Sequence, residues 1–183
     1  RVLSRPEADL YASEDLRSSE KDRAENVMIV DLVRNDLSRV CEPQSVAVEA
    51  LCRLERFRYV QHLVSVVTGR LVSSGRALDA VLAAFPGGSI TGAPKYRACE
   101  IICELEVTRR GPYCGTLGYI GFDGNADFNI LIRTFAAHSK RIVFSAGGGV
   151  TVGSDPSSEY AESLHKAEGM LSVFESIAVG NSV

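Results

Sequence analysis

From Phe85 to Lys95 the chain reads Phe-Pro-Gly-Gly-Ser-Ile-Thr-Gly-Ala-Pro-Lys, in which Pro86, Gly87, Gly88, Gly92 and Pro94 crowd into eleven residues. Proline lacks an amide donor and glycine loses the most backbone freedom on ordering, so no regular element can run through this stretch. It must be a loop between two elements. Upstream, Leu78 to Phe85 reads as a short apolar helix that stops at Pro86. Downstream, Pro94 suits the first helical position, because its missing donor would have no partner there anyway. Ala98, Ile101, Ile102 and Leu105 then recur at helical spacing, and Arg109-Arg110-Gly111 closes that helix with cations and a glycine.

Other elements fall on either side of this loop. Arg1 to Arg17 is polar and irregular; Ser18-Ser19 followed by Glu20 and Asp22 marks a helix start, and the helix should end near Asn35-Asp36. β-branched runs predict strands at Ser45 to Val48 and Tyr59 to Leu71, separated by the charged segment Arg53 to Arg58. Strands are also expected at Cys114 to Phe122 and Asp127 to Phe135, joined by the Asp123-Gly124-Asn125 turn, with Arg141 to Ala146 completing a meander. Asp155-Pro156 caps a last helix through about Ser176. Helix, strands, helix, meander and helix in that order predict an α+β fold.

Charge and cysteine content exclude several functions. With 20 Lys plus Arg against 23 Asp plus Glu, the chain lacks the basic excess that nucleic-acid binding requires. No apolar run reaches the roughly 18 residues needed to cross a bilayer, which leaves a cytoplasmic protein as the expectation. The five cysteines form no Cys-x-x-Cys pair, and Cys99 and Cys103, four apart on a predicted helix, could form half a metal site. Buried reduced thiols are the expected reading. The chain opens at Arg1 with no Met and no signal peptide, so a piece of a longer protein is expected.

Two predicted helices carry paired acids three residues apart on one face, Asp22 and Glu25 on the first and Glu159 and Glu162 on the last. If these faces meet, the carboxylates repel one another unless a hard cation such as Mg²⁺ lies between them. Solvated surface acids remain the other reading. The run Gly147-Gly148-Gly149 lets backbone amides approach an anion, or serves as a tight turn. Arg133 lies among Ile130, Leu131 and Ile132 in a predicted strand, where its charge needs a carboxylate partner, and Tyr119 could share that anion. His62 reads as a core residue of an apolar strand, with His138 and His165 on the surface. Lys95 opposes the dipole at its helix start, so an anion or a local acid should compensate it. Lys166 follows Glu162 by four, the spacing of a helix ion pair.

Taken together, four segments resemble the chorismate-utilising enzymes. They are Lys21-Asp22-Arg23-Ala24-Glu25-Asn26-Val27-Met28-Ile29-Val30-Asp31-Leu32 with Arg34-Asn35-Asp36, then His62-Leu63-Val64-Ser65, then Phe85 to Lys95, and finally Ser145-Ala146-Gly147-Gly148-Gly149. The likeness runs from about Ser19 to Glu175. Within the family, Gly87 to Lys95, Ser145 to Gly149 and Gly118-Tyr119-Ile120-Gly121-Phe122 look like the aminodeoxychorismate, or para-aminobenzoate, branch. Anthranilate synthases typically carry Ala-Gly-Thr-x-Ser-Gly-Ala-Pro-Lys and Gln-Ala-Gly-Ala-Gly instead.

The resemblance implies two antiparallel sheets packed face to face with outer helices, of which residues 1–183 would form the C-terminal part. It implies that Glu25 and Glu162 bind Mg²⁺ directly, with Asp22 and Glu159 acting through water. Tyr119, Arg133, Gly147, Gly148 and Gly149 would hold the carboxylates of chorismate, with Lys166 beside the metal-bound one. His62 and Thr91 would line the ring pocket and, with Lys95, make up the implied catalytic set. A glutamine amidotransferase subunit or domain would supply ammonia. The family's lysine nucleophile within Pro-Ile-Lys-Gly-Thr and its catalytic glutamate lie upstream of the Lys21 segment, and neither motif occurs here. The implied reaction is lysine attack on the ring, Mg²⁺-assisted loss of the C4 hydroxyl, and addition of ammonia at C4. The alternatives are an anthranilate synthase component, or a non-catalytic binding module derived from the family.

Overall fold

The computed structural model describes residues 18–57, 60–73 and 75–180, with side chains as far as residue 174. The predicted irregular segment 1–17 lies outside the described residues. Contacts divide the chain into two compact units, one reaching Cys99 and one starting at Glu100.

In the first unit, helix α1 (Glu20–Ser38) starts as expected: the Ser19 side chain accepts the Asp22 amide at 3.2 Å, satisfying one of the four donors that a helix start leaves unpaired. The helix runs two residues beyond the expected end, because Asp36 is only 3% exposed and takes part in packing. Val30 is buried on the same helix, which lies against strands β1 (Ala47–Arg56) and β2 (Gln61–Thr68). These strands pair antiparallel, from Ala47 opposite Thr68 to Arg56 opposite Gln61. Two irregularities interrupt the ladder, between Val48 and Ala50 and between Ala50 and Arg53.

Arg53 to Arg56 of the charged segment expected to separate the strands instead form the end of β1, while Arg58 lies outside the described residues. Arg53 and Glu55 alternate with Cys52 and Leu54, and a period of two is what a half-solvated strand requires. Arg53 and Glu55 pair with each other on the outside. An isolated bridge joins Cys41 to Leu71, and the Cys41 thiol packs so closely on Gly69 that a Cβ there would lie 2.7 Å from the sulfur.

Helix α2 (Ala77–Ala84) ends before Pro86, as predicted. The loop after it holds a four-residue helix, α3 (Gly88–Thr91), which the glycine content did not reveal. Gly88 is buried because a Cβ there would sit 2.6 Å from Cδ1 of Leu32 on α1. Helix α4 (Lys95–Leu105) starts one residue after Pro94, which precedes the helix instead of taking its first position and whose carbonyl accepts the Ala98 amide at 3.0 Å. It ends at Leu105, short of the cations: Arg110 folds back on Glu106 at 2.6 Å, and Gly111 turns the chain with φ +60°.

The second unit departs from the expected meander. Strands β3 (Thr116–Ile120) and β4 (Ala126–Ile130) form one hairpin, and β5 (Ala136–His138) and β6 (Arg141–Val143) form another. The long strand expected from Asp127 to Phe135 breaks at Arg133, whose φ of 49° leaves the extended region. The aliphatic run Ile130-Leu131-Ile132 gives no local sign of that break. Gly118 lies flush on β4, where a Cβ would come within 2.1 Å of the Asp127 carbonyl oxygen. Helix α5 (Pro156–Gly180) is capped by Asp155, whose Oδ1 accepts the Ser158 amide at 2.9 Å. Phe174 on α5 meets Phe135 edge-on at 5.3 Å, and Phe135 meets Phe144 at 5.5 Å, joining this helix to the β5–β6 hairpin. The architecture is α+β. All five cysteines are free as expected, but only Cys41 is buried and Cys103 is exposed. Among the described residues no helix is long and apolar enough to cross a membrane.

Candidate functional site

The sequence candidates fall into a group in each unit. In the first, Asp22, Glu25, Asn26 and Ile29 of α1 face Gln61, His62 and Leu63 of β2 across an open cleft. Spacings of three, four and seven residues place the α1 members on one helix face, so the acids share this cleft. Glu25 is half-buried and Asp22 exposed. His62 is not a core residue: it is exposed, sits opposite Glu55, and rests edge-on against Phe57 at 5.9 Å. It is the one exposed residue of β2.

Thr91 is half-buried at the end of α3, with its hydroxyl donating to the Gly87 carbonyl at 3.2 Å. Lys95 was expected to need an acid, and that acid is Asp36 at 2.6 Å. Its ammonium also donates to the Ala84 carbonyl at 3.3 Å. The pair is largely buried, so Lys95 ties the ends of α1 and α2 to the start of α4 across the loop that carries Thr91.

In the second unit, acids and cation gather at the glycine run. A Cβ built on Gly148 would lie 3.4 Å from Glu159 Oε2, 3.6 Å from Lys166 Nζ and 3.7 Å from Glu162 Oε1. Lys166 and Glu162 form the expected ion pair, at 2.6 Å. Ser154 donates to the other oxygen of Glu159 at 2.5 Å. Arg133 is exposed at its bend and lines a hollow with Lys166, Tyr113, Ser145 and Gly147. The structure does not bring Tyr119 there: it is exposed on β3, opposite Asp127.

Tyr113 escaped the sequence reading. Its hydroxyl lies 3.0 Å from where a Cβ on Gly147 would be, and the Arg110 guanidinium sits 5.9 Å from its ring centre. Burial pushes both the Tyr113 phenol and the Cys114 thiol up from their ordinary values. The hydrogen bond from Arg110 holds the exposed Glu106 carboxyl below its usual range. The signal available was Arg110 three residues before Tyr113, too common a spacing to single out.

Among the described residues no three His, Cys, Asp or Glu side chains group closely enough to hold a metal by themselves. The donors at Gly148 nevertheless fit Mg²⁺ chemically. Glu159 and Glu162 are hard oxygen donors beside space that only an absent side chain leaves open, and Mg²⁺ takes one or two carboxylates while keeping water and substrate oxygens.

Comparison with known proteins follows the same residues. A family model described as chorismate binding enzyme matches residues 3–172. Anthranilate synthase component 1 of Streptomyces coelicolor is 52% identical over 166 residues, covering 91% of this chain and 32% of its own length. Aminodeoxychorismate synthase component 1 of Klebsiella aerogenes is 52% identical over 174 residues, covering 95% of this chain and 39% of its own length. The crystal structure of anthranilate synthase component I from Streptococcus pneumoniae superposes with a TM-score of 0.78 at 43% identity, covering 90% of this chain and 38% of that one. The chain thus spans between 32% and 39% of the length of these curated relatives.

Proposed function

This chain belongs to the family of chorismate binding enzymes, and on that premise we propose that it carries metal- and carboxylate-binding residues of an aminodeoxychorismate synthase component 1. That enzyme would convert chorismate and glutamine-derived ammonia to 4-amino-4-deoxychorismate, with a glutamine amidotransferase as partner. Membership supports the chorismate-utilising part of this reading. Identity is equal on the two amination branches, so the branch rests on Ser145 to Gly149 and Gly87 to Lys95.

The observation that carries the reading is the convergence of Glu159, Glu162 and Lys166 on the space that a Cβ on Gly148 would occupy. A dianionic substrate has one carboxylate to neutralise there and backbone amides to receive it. On α1, Glu25 would bind Mg²⁺ directly and Asp22 through water; on α5, Glu162 would bind it directly and Glu159 through water. When bound, Mg²⁺ supplies positive charge to a substrate carboxylate and eases departure of the C4 hydroxyl. Lys166, paired with Glu162 at 2.6 Å, would orient the same carboxylate. Arg133, exposed at a bend, offers a planar fork suited to a second carboxylate. Thr91 and His62 would border the ring, and Lys95 would fix the loop bearing Thr91.

The test is product identity. The full-length enzyme, given chorismate, ammonium and Mg²⁺, should yield 4-amino-4-deoxychorismate on chromatography without releasing pyruvate. Anthranilate with equimolar pyruvate would overturn the branch, and no consumption of chorismate would overturn the reading altogether.

A further inference from the structure

Asn26 follows Glu25 on α1, and both polar atoms of its side chain are engaged by the β1–β2 hairpin. Nδ2 donates to the Leu63 carbonyl at 3.0 Å, and Oδ1 accepts the Ser65 hydroxyl. Ser65 Oγ in turn accepts the Cys52 amide at 2.9 Å, and Cys52 Sγ lies 3.5 Å from Asn26 Oδ1.

The Cys52 amide reaches Ser65 because β1 bulges. Ala50 stands opposite Val66 and Arg53 opposite Val64, so β1 carries one residue more than β2 across this interval. Cys52 takes up the excess with a φ of 50°. A side-chain-bearing residue persists in the left-handed region only where its surroundings hold it there, and bulges commonly re-aim groups beside functional sites. Here the re-aimed group is an amide that leaves the ladder and supports a side-chain hydroxyl.

Asn26 belongs to the α1 face that lines the cleft, with Asp22 and Glu25 before it and Ile29 after it. Tying one amide to two alternate residues of the neighbouring strand fixes both the roll and the rise of the helix at that point. We propose that Asn26, Ser65 and the bulged Cys52 form a positioning relay that aims the Asp22 and Glu25 carboxylates into the cleft beside His62. The inference rests on the proposed Mg²⁺ role of those carboxylates.

Calorimetric Mg²⁺ titration of the full-length protein, well below its melting temperature, separates the two ideas. Supporting groups behind metal ligands typically change affinity by about 10–100-fold. Asn26→Ala should therefore weaken Mg²⁺ binding by about tenfold or more, and Ser65→Ala by at least about threefold in the same direction. The double variant should match Asn26→Ala to within about twofold, because Ser65 acts through Asn26. A purely structural network would lower the melting temperature and leave the affinity of the folded protein unchanged. If Asn26→Ala does not fold, Ser65→Ala decides alone. Wild-type affinity in Glu25→Ala would sink the metal reading itself. Loss in Glu25→Ala with wild-type affinity in both relay variants would overturn the relay alone.

Discussion

The two acidic helices carry the same spacing of carboxylates but are held in different ways. α1 is fixed along its length: Ser19 caps it, Asn26 ties it to β2, Val30 is buried, and Asp36 is paired with Lys95. α5 is fixed at points, by its Asp155 cap, by Phe174 and by Met170, the one buried residue among its described side chains. Its acids face a glycine run and a lysine, whereas those of α1 face a strand with a histidine. Acid spacing alone therefore distinguishes nothing. What separates a metal ligand from a solvated acid is the surface opposite, and that surface comes from another part of the chain.

Substitutions can break this comparison at different levels. The largest effect is expected from Glu162→Gln in the full-length enzyme, which removes a charge from the glycine cradle and should cut amination by about a thousandfold, as loss of metal-supplied charge stabilisation implies; steady-state rates measure it. Lys95→Met leaves Asp36 buried without its cation and should destabilise the fold by about 3 kcal/mol, read from urea unfolding. Two glycines sharpen the contrast between folding and binding. Gly118→Ala drives a methyl against the Asp127 carbonyl and should cost about 1–3 kcal/mol in the same assay. Gly148→Ala meets only ordinary contact distances, so the melting temperature should hold while KM for chorismate rises by about tenfold, as loss of one well-placed contact implies.

The smallest effect concerns pH. Arg110 depresses the Glu106 carboxyl below its ordinary 4.5, so the contact adds stability above that value and loses it as pH falls through the depressed one. Glu106 is exposed to solvent, which screens the gain, although Arg110 is half-buried. Glu106→Gln should be slightly less stable than wild type near pH 7, with the difference vanishing in strong acid.

Local chemistry was readable where a residue's partner lies within one turn. The Ser19 cap, the Asp155 cap and the Lys166–Glu162 pair needed only helix geometry. The acid for Lys95 was legible as a need but not as Asp36, because 59 positions separate them. Reading β1 failed for a different reason: Arg53 to Arg58 looked like a charged linker although polar and apolar residues alternate from Cys52 to Glu55. Arg133 and Cys52 adopt left-handed backbone with side chains that ordinarily avoid it; at Cys52 the conformation goes with an amide bonded to Ser65, 13 positions away, which sequence does not record. Tyr119 and Arg133 seemed able to share an anion as strand neighbours, but the bend at Arg133 leaves only Arg133 at the hollow.

The central claim is that both acid pairs are metal groups and not surface charge. It is tested most directly by titrating Mg²⁺ into the full-length protein with Asp22→Asn/Glu25→Gln on one helix, or Glu159→Gln/Glu162→Gln on the other. The account predicts that each double variant weakens binding by about tenfold or more. Wild-type affinity in either would show that helix's acids to be ordinary solvated carboxylates, contradicting the account.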